Sequence, residues 1–134
     1  MRPLSLLIPY VAALVGLIVL ADQGALPPWA MAVYGLPGGD LAAHLGLAGG
    51  LSLLAERASG RALVVVGRLR LPLGSGLAGL ALGAEELSQI AIPARVFSPL
   101  DLAATLCGVV LGWVLARALQ RRKNQRTVRA RSTG

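Results

Sequence analysis

From Pro3 to Ala21 the chain carries no charged residue. As a helix these residues would be about 28 Å long, close to the hydrocarbon thickness of a bilayer. A signal peptide with Val19-Leu20-Ala21 as cleavage box is the alternative reading. The apolar run is long for such a peptide, however, and only Arg2 precedes it, which favours a retained span. Composition agrees. Hydrophobic residues make up 55% of the 134 residues and charged residues 14%, where soluble domains carry roughly a quarter charged residues. So much apolar surface excludes a disordered chain. The single Cys107 excludes an internal disulfide framework.

Three further spans are expected. Residues 23–39 hold Pro27-Pro28, Trp29, Tyr34 and Gly38-Gly39, which suits a loop or short helix at the membrane interface. Asp40 is then expected to cap a second span over 40–56. Arg57, Arg61, Arg68 and Arg70 follow. A third span over 73–92 is interrupted by Glu85 and Glu86 and stopped by Pro93. Ser98-Pro99-Leu100-Asp101 reads as a capping box that opens a fourth span over 99–119.

Four spans place both termini on one side. Arg2, the four arginines after the second span and the seven basic residues from Arg117 to Arg131 share that side, twelve of the thirteen Lys and Arg. The positive-inside rule makes it cytoplasmic, and only Arg95 falls opposite. The expected fold is therefore all-α: a polytopic four-transmembrane-helix bundle over 1–119 in the bacterial inner membrane, followed by a basic cytoplasmic tail over 120–134. The tail anchors topology and attracts anionic lipid. It lacks the aromatic interleaving of a nucleic-acid binder, so no nucleic-acid partner is expected. Glycine pairs at four-residue spacing, Gly46/Gly50, Gly79/Gly83 and Gly108/Gly112, mark expected close helix contacts.

Ionisable groups within spans are costly and usually face the bundle interior or water. Here they gather at one depth near the outer ends: Asp40 with His44 one turn on, Glu86 with Gln89, then Arg95, and Asp101 with Thr105 one turn on. Gly79, Gly83, Glu86 and Ile90 fall on one helical stripe, so Glu86 is expected to face inward and Glu85 to reach water. Asp40 and Asp101 can equally be plain N-caps. His44 can be a hydrogen-bonded interior histidine, and Arg95 an ion-pair partner of Glu86 or Asp101. One imidazole and no nearby thiol make a poor zinc site, so neither metal nor cofactor is expected. No motif supports Ser88 with His44 as a nucleophile, and no glycine-rich phosphate loop follows a strand.

Asp40-x-x-x-His44, Glu86-x-x-Gln89, Pro93-Ala94-Arg95 and Asp101 leading to Gly108 and Gly112 occur in this order over more than half the chain. In that order and spacing the chain resembles the VanZ-like family of small bacterial membrane proteins. It departs at Leu41, where the family often has Lys, at Ala48, where an aromatic is usual, and at Thr105, where Asn is usual. The resemblance implies the fold, the membrane and a site, but no reaction. The family's namesake is associated with low-level resistance to the glycopeptide antibiotic teicoplanin.

The leading expectation is an outward-facing pocket of Asp40, His44, Glu86, Gln89, Arg95, Asp101 and Thr105 that binds a cell-envelope lipid or an amphiphilic antibiotic. A second is a membrane-embedded hydrolase or transferase with His44 oriented by Asp40 and partnered by Glu86. A third is a small accessory subunit docked by its glycine faces to a protein partner in a larger membrane complex.

Overall fold

The computed structural model describes residues 3–93 and 95–132, and for Pro3 and 126–132 the backbone alone. Arg2 and Ala94, used above, lie outside the described residues. The chain is mostly helical: α1 Pro3–Asp22, α2 Pro28–Tyr34, α3 Gly39–Ala58, α4 Leu73–Ser88 and α5 Pro99–Ser132. Two short strands, β1 Leu63–Val66 and β2 Leu69–Pro72, separate α3 from α4, and a 3₁₀ turn, Gln89–Ala91, extends α4. The four expected spans correspond in position to α1, α3, α4 and α5. Of these, α1 and α5 hold stretches long and apolar enough to cross a membrane, Leu4–Asp22 and Pro99–Gln125.

Two boundaries differ from expectation. Asp40 does not cap α3. Gly38, at φ +69°, takes that place, and the helix begins at Gly39. Only glycine adopts this left-handed backbone freely, so the Gly38-Gly39 pair starts the helix one residue early. Gly39 is also pressed against the Val33 carbonyl at the end of α2, where any Cβ would collide. Asp40 becomes an acid of the first turn, its Oδ1 accepting the Leu41 N–H at 2.8 Å. At the other end, α5 runs unbroken past 119 into the basic tail, so no change in backbone marks the expected boundary at 119/120. The helix start at Ser98-Pro99 is as expected: Ser98 Oγ accepts the Asp101 N–H at 3.3 Å.

The hairpin is a departure from an all-helical chain. Val64, Val65 and Val66 are β-branched, and β-branched side chains favour the pleated backbone. Gly67, at φ +61°, provides the first position of a two-residue turn. The strands pair antiparallel, with Val64 opposite Leu71 and Val66 opposite Leu69.

Helices α3 and α5 form the closest packing. Glycine on both sides lets the backbones approach. A Cβ on Gly108 would strike the Leu45 carbonyl and one on Gly112 the Gly49 carbonyl, while Gly49 faces the Gly108 carbonyl at 3.2 Å from its own Cβ position. Ser52 Oγ donates to the Val109 carbonyl at 2.7 Å across this seam. Helix α1 packs on α3 through Tyr10, whose hydroxyl donates to the Leu47 carbonyl at 2.7 Å and whose ring covers Gly50. Leu14, Leu51 and Ala78 form the apolar core between α1, α3 and α4. Of the paired glycines, Gly46 and Gly83 meet nothing and make no close approach.

Candidate functional site

One end of the helix bundle brings a polar cluster together around Glu86. This side chain is 1% exposed. Its Oε1 lies 2.9 Å from His44 Nδ1 and accepts the Thr105 hydroxyl at 3.1 Å. Its Oε2 accepts from Gln89 Nε2 at 3.2 Å. Thr105 Oγ1 also sits 3.3 Å from His44 Nδ1, and Asp101 Oδ2 lies 3.9 Å from His44 Nε2. Helices α3, α4 and α5 thus each contribute to one buried knot.

A carboxylate at Nδ1 favours a proton on that nitrogen and orients the plane of the ring. The second nitrogen, Nε2, is then turned toward Asp101. A histidine oriented in this way can hold or pass a proton or orient a hydroxyl or amine.

The second half of the cluster centres on Arg95. Its guanidinium lies 3.5 Å from Asp22 at the end of α1 and 3.5 Å from Glu85. Gln89 Nε2 reaches Glu85 as well, at 3.2 Å, so one amide links Glu85 to Glu86. This corrects two expectations. Arg95 pairs with Asp22 and Glu85 rather than with Glu86 or Asp101, and Glu85 does not turn to water.

Ile90 is 69% exposed, although it was expected on the same stripe as Glu86. The α-helix ends at Ser88 and the 3₁₀ turn advances by three residues per turn, so Gln89 rather than Ile90 falls under Glu86.

Asp40 lies apart. Its one hydrogen bond is local, it does not line the cavity described below, and Glu86 takes the orienting role on His44 that Asp40 was expected to play. Ser88 Oγ donates to the Glu85 carbonyl at 2.6 Å and has no part in a nucleophilic pair. Among the described residues no three His, Cys, Asp or Glu side chains are arranged to hold a metal ion.

A cavity of about 340 Å³ opens beside the cluster. Leu14 and Ile18 of α1, Trp29 and Val33 of α2, Leu47 of α3 and Leu82 of α4 form apolar walls. His44, Glu85, Glu86, Arg95, Thr105 and Tyr34 form its polar end. Burial pushes the Tyr34 phenol up from its ordinary pKa. Arg95 pulls it down, and Asp101, Glu86 and Glu85 add to the rise. Tyr34 therefore stays a neutral hydroxyl donor at the cavity mouth.

Three members of this site were not foreseen. Asp22 ends the first uncharged run, and a charge at the end of so long an apolar helix is itself a signal. Helical angle alone points Glu85 away from the cluster. Tyr34 carries in the sequence only the signal of an interfacial aromatic.

A second buried carboxylate lies at the opposite end of α3. Glu56 is 0% exposed, and its Oε2 accepts the Ser75 N–H at 3.2 Å and the Ser75 hydroxyl at 3.3 Å. Arg117 lies 3.8 Å from Oε1 and stacks over Trp113 at 5.7 Å. Gly74 makes this possible, because a Cβ there would collide with the Ala55 carbonyl. Comparison with protein-family models, with curated proteins and with solved structures finds no match to this chain.

Proposed function

We propose that this chain is a VanZ-like protein of the bacterial inner membrane. In this reading α1, α3, α4 and α5 are four spans, both termini are cytoplasmic, and the cavity binds an envelope amphiphile from the outer side. The membrane part of the reading draws on an inverted distribution of polarity. The buried polar set is Ser52, Glu56, Ser75, Glu86, Gln89 and Thr105, while Leu77, Leu80 and Leu87 of α4 and Leu106, Val110 and Val114 of α5 are exposed. Hydrocarbon as the surrounding solvent makes that arrangement favourable, since apolar side chains lose nothing there and polar groups must find partners inside.

The cavity carries the ligand reading. Its volume falls within the range of about 300–1,000 Å³ typical of small-molecule sites, and its apolar walls end on a few converging polar groups. The polar end holds Glu85 and Glu86 against Arg95, with His44 beside Glu86. An excess of carboxylates favours a head group with an amine or hydroxyl beside an anionic group. The amine would meet Glu86 or Glu85, and the anion would meet Arg95 by charge-assisted hydrogen bonds. Phosphatidylethanolamine has this chemistry, and a glycopeptide such as teicoplanin is the amphiphile that the family resemblance suggests.

Native mass spectrometry of detergent-released protein titrated with phosphatidylethanolamine tests the proposal. Saturable adducts in the wild type that are lost in Glu86→Gln and Arg95→Ala support it. Equal binding by all three proteins ends it.

The 2.9 Å contact of His44 with Glu86 favours a second reading, a hydrolase or transferase acting on an envelope lipid. His44 Nε2 would accept a proton from water or a hydroxyl, and Glu86 would stabilise the imidazolium. Turnover that is lost in His44→Gln and kept in Asp40→Asn is the expected result. Turnover indifferent to His44→Gln rules it out.

A further inference from the structure

Every residue of the two hairpin strands except Pro72 is exposed. In an antiparallel pair, residues directly opposite share a face. Val64, Val66, Leu69 and Leu71 therefore form one wholly apolar face, and all four are exposed. Leu63, Val65, Arg70 and Pro72 form the other. Water is a poor solvent for such a ribbon, and an isolated two-stranded hairpin is marginal there.

Its position is fixed. Leu73 starts α4 directly after β2, and the Leu73 N–H donates to the Ala62 carbonyl at 2.9 Å, while the Arg61 N–H donates to the Glu56 carbonyl at 3.1 Å at the end of α3. The ribbon is thus tied to the ends of two helices. Charge surrounds it: Arg68 at the tip, Arg70 on one face, Arg57 and Arg61 at the base, with no acid between Glu56 and Glu85.

We propose that the hairpin lies in the interfacial zone of the cytoplasmic leaflet. Its Val64–Leu71 face enters the acyl boundary, and its arginines contact the phosphates of anionic phospholipid. The inference rests on the four-span reading, which puts the inner ends of α3 and α4 at that surface. Apolar side chains flanked by arginines are the chemistry of an interfacial anchor, and the lack of any acid makes the anionic leaflet the complementary partner.

Cys107, the one cysteine, is exposed on α5 and provides an internal control. The full chain is reconstituted into phosphatidylcholine vesicles with and without phosphatidylglycerol. It carries a polarity-sensitive fluorophore on Cys107, or on Val66→Cys in a Cys107→Ala background, and nitroxide-bearing lipids serve as quencher. The expected result is loss of fluorescence at both positions, with quenching at position 66 deepened by phosphatidylglycerol and that gain removed by Arg68→Ala with Arg70→Ala. Quenching at Cys107 with none at position 66 overturns the hairpin inference and leaves the membrane reading standing. A protein strand covering the ribbon would give that same pattern. Absence of quenching at both positions overturns the membrane reading and the hairpin inference with it. Quenching at position 66 that is indifferent to phosphatidylglycerol overturns the anionic-lipid contact.

Discussion

Glu86 Oε1 lies 2.9 Å from His44 Nδ1, and the two residues come from helices that meet only through the tertiary fold. That contact turns two isolated polar side chains into one unit. The carboxylate orients the ring, and the ring supplies the partner a buried carboxylate requires.

Glu86→Ala strands His44, Gln89 and Thr105 without their common acceptor. The expected loss of stability is about 3 kcal/mol, as for removal of one partner of a buried pair. Thr105→Val removes the hydroxyl's hydrogen bond to Glu86 and its contact with His44 and should cost about 1.5–3 kcal/mol. Reversible unfolding of the detergent-solubilised protein measures both, and Glu86→Ala should be the more damaging.

The glycines divide by what surrounds them. Gly108→Ala and Gly112→Ala force a Cβ into the α3 backbone and should each cost about 1–3 kcal/mol. Gly46→Ala and Gly83→Ala meet open space and should be neutral or stabilising by up to about 1 kcal/mol, because alanine is the better helix former. Thermal unfolding midpoints of the four variants provide the comparison.

Ser75→Ala removes a hydroxyl donor from buried Glu56 and should destabilise by about 1.5–3 kcal/mol. Gly74→Ala should be worse, since it separates α4 from the end of α3 and breaks the Ser75 N–H contact as well. Protease sensitivity of the β1–β2 segment should rise in Gly74→Ala and stay unchanged in Thr105→Val.

Asp22→Asn and Asp40→Asn separate the members of the site from a neighbour in sequence only. Asp22 holds Arg95, so its loss should weaken binding of phosphatidylethanolamine by about tenfold, the equivalent of a 1.4 kcal/mol contact. Asp40 does not line the cavity, and Asp40→Asn should bind as the wild type does. Titration by native mass spectrometry reads both.

Much of this arrangement was legible in the chain. The order of apolar runs located α1, α3, α4 and α5, and the depth of the titratable residues brought His44, Glu86, Gln89, Asp101 and Thr105 to one place. Ser98 with Pro99 announced the start of α5. What failed was local. Helical angle cannot see that α4 tightens to a 3₁₀ turn at Gln89, and that tightening moved Ile90 off the stripe. Asp40 lost its cap to Gly38, because two adjacent glycines offer a backbone no capping rule based on side chains anticipates. Arg57, Arg61, Arg68 and Arg70 drew the reading toward charge, so the valines and Gly67 among them went unread as a hairpin. In the sequence Glu56 marks only the end of a helix. The close approach of α4 at Gly74 buries it against Ser75.

The most direct test is an experimental density map of the protein in a bilayer containing phosphatidylethanolamine. The account predicts continuous acyl density between Leu14, Trp29 and Leu47, ending in a head group about 3 Å from Glu86 or Arg95. Lipid density confined to the outer faces of the helices, with water alone in the cavity, would contradict it.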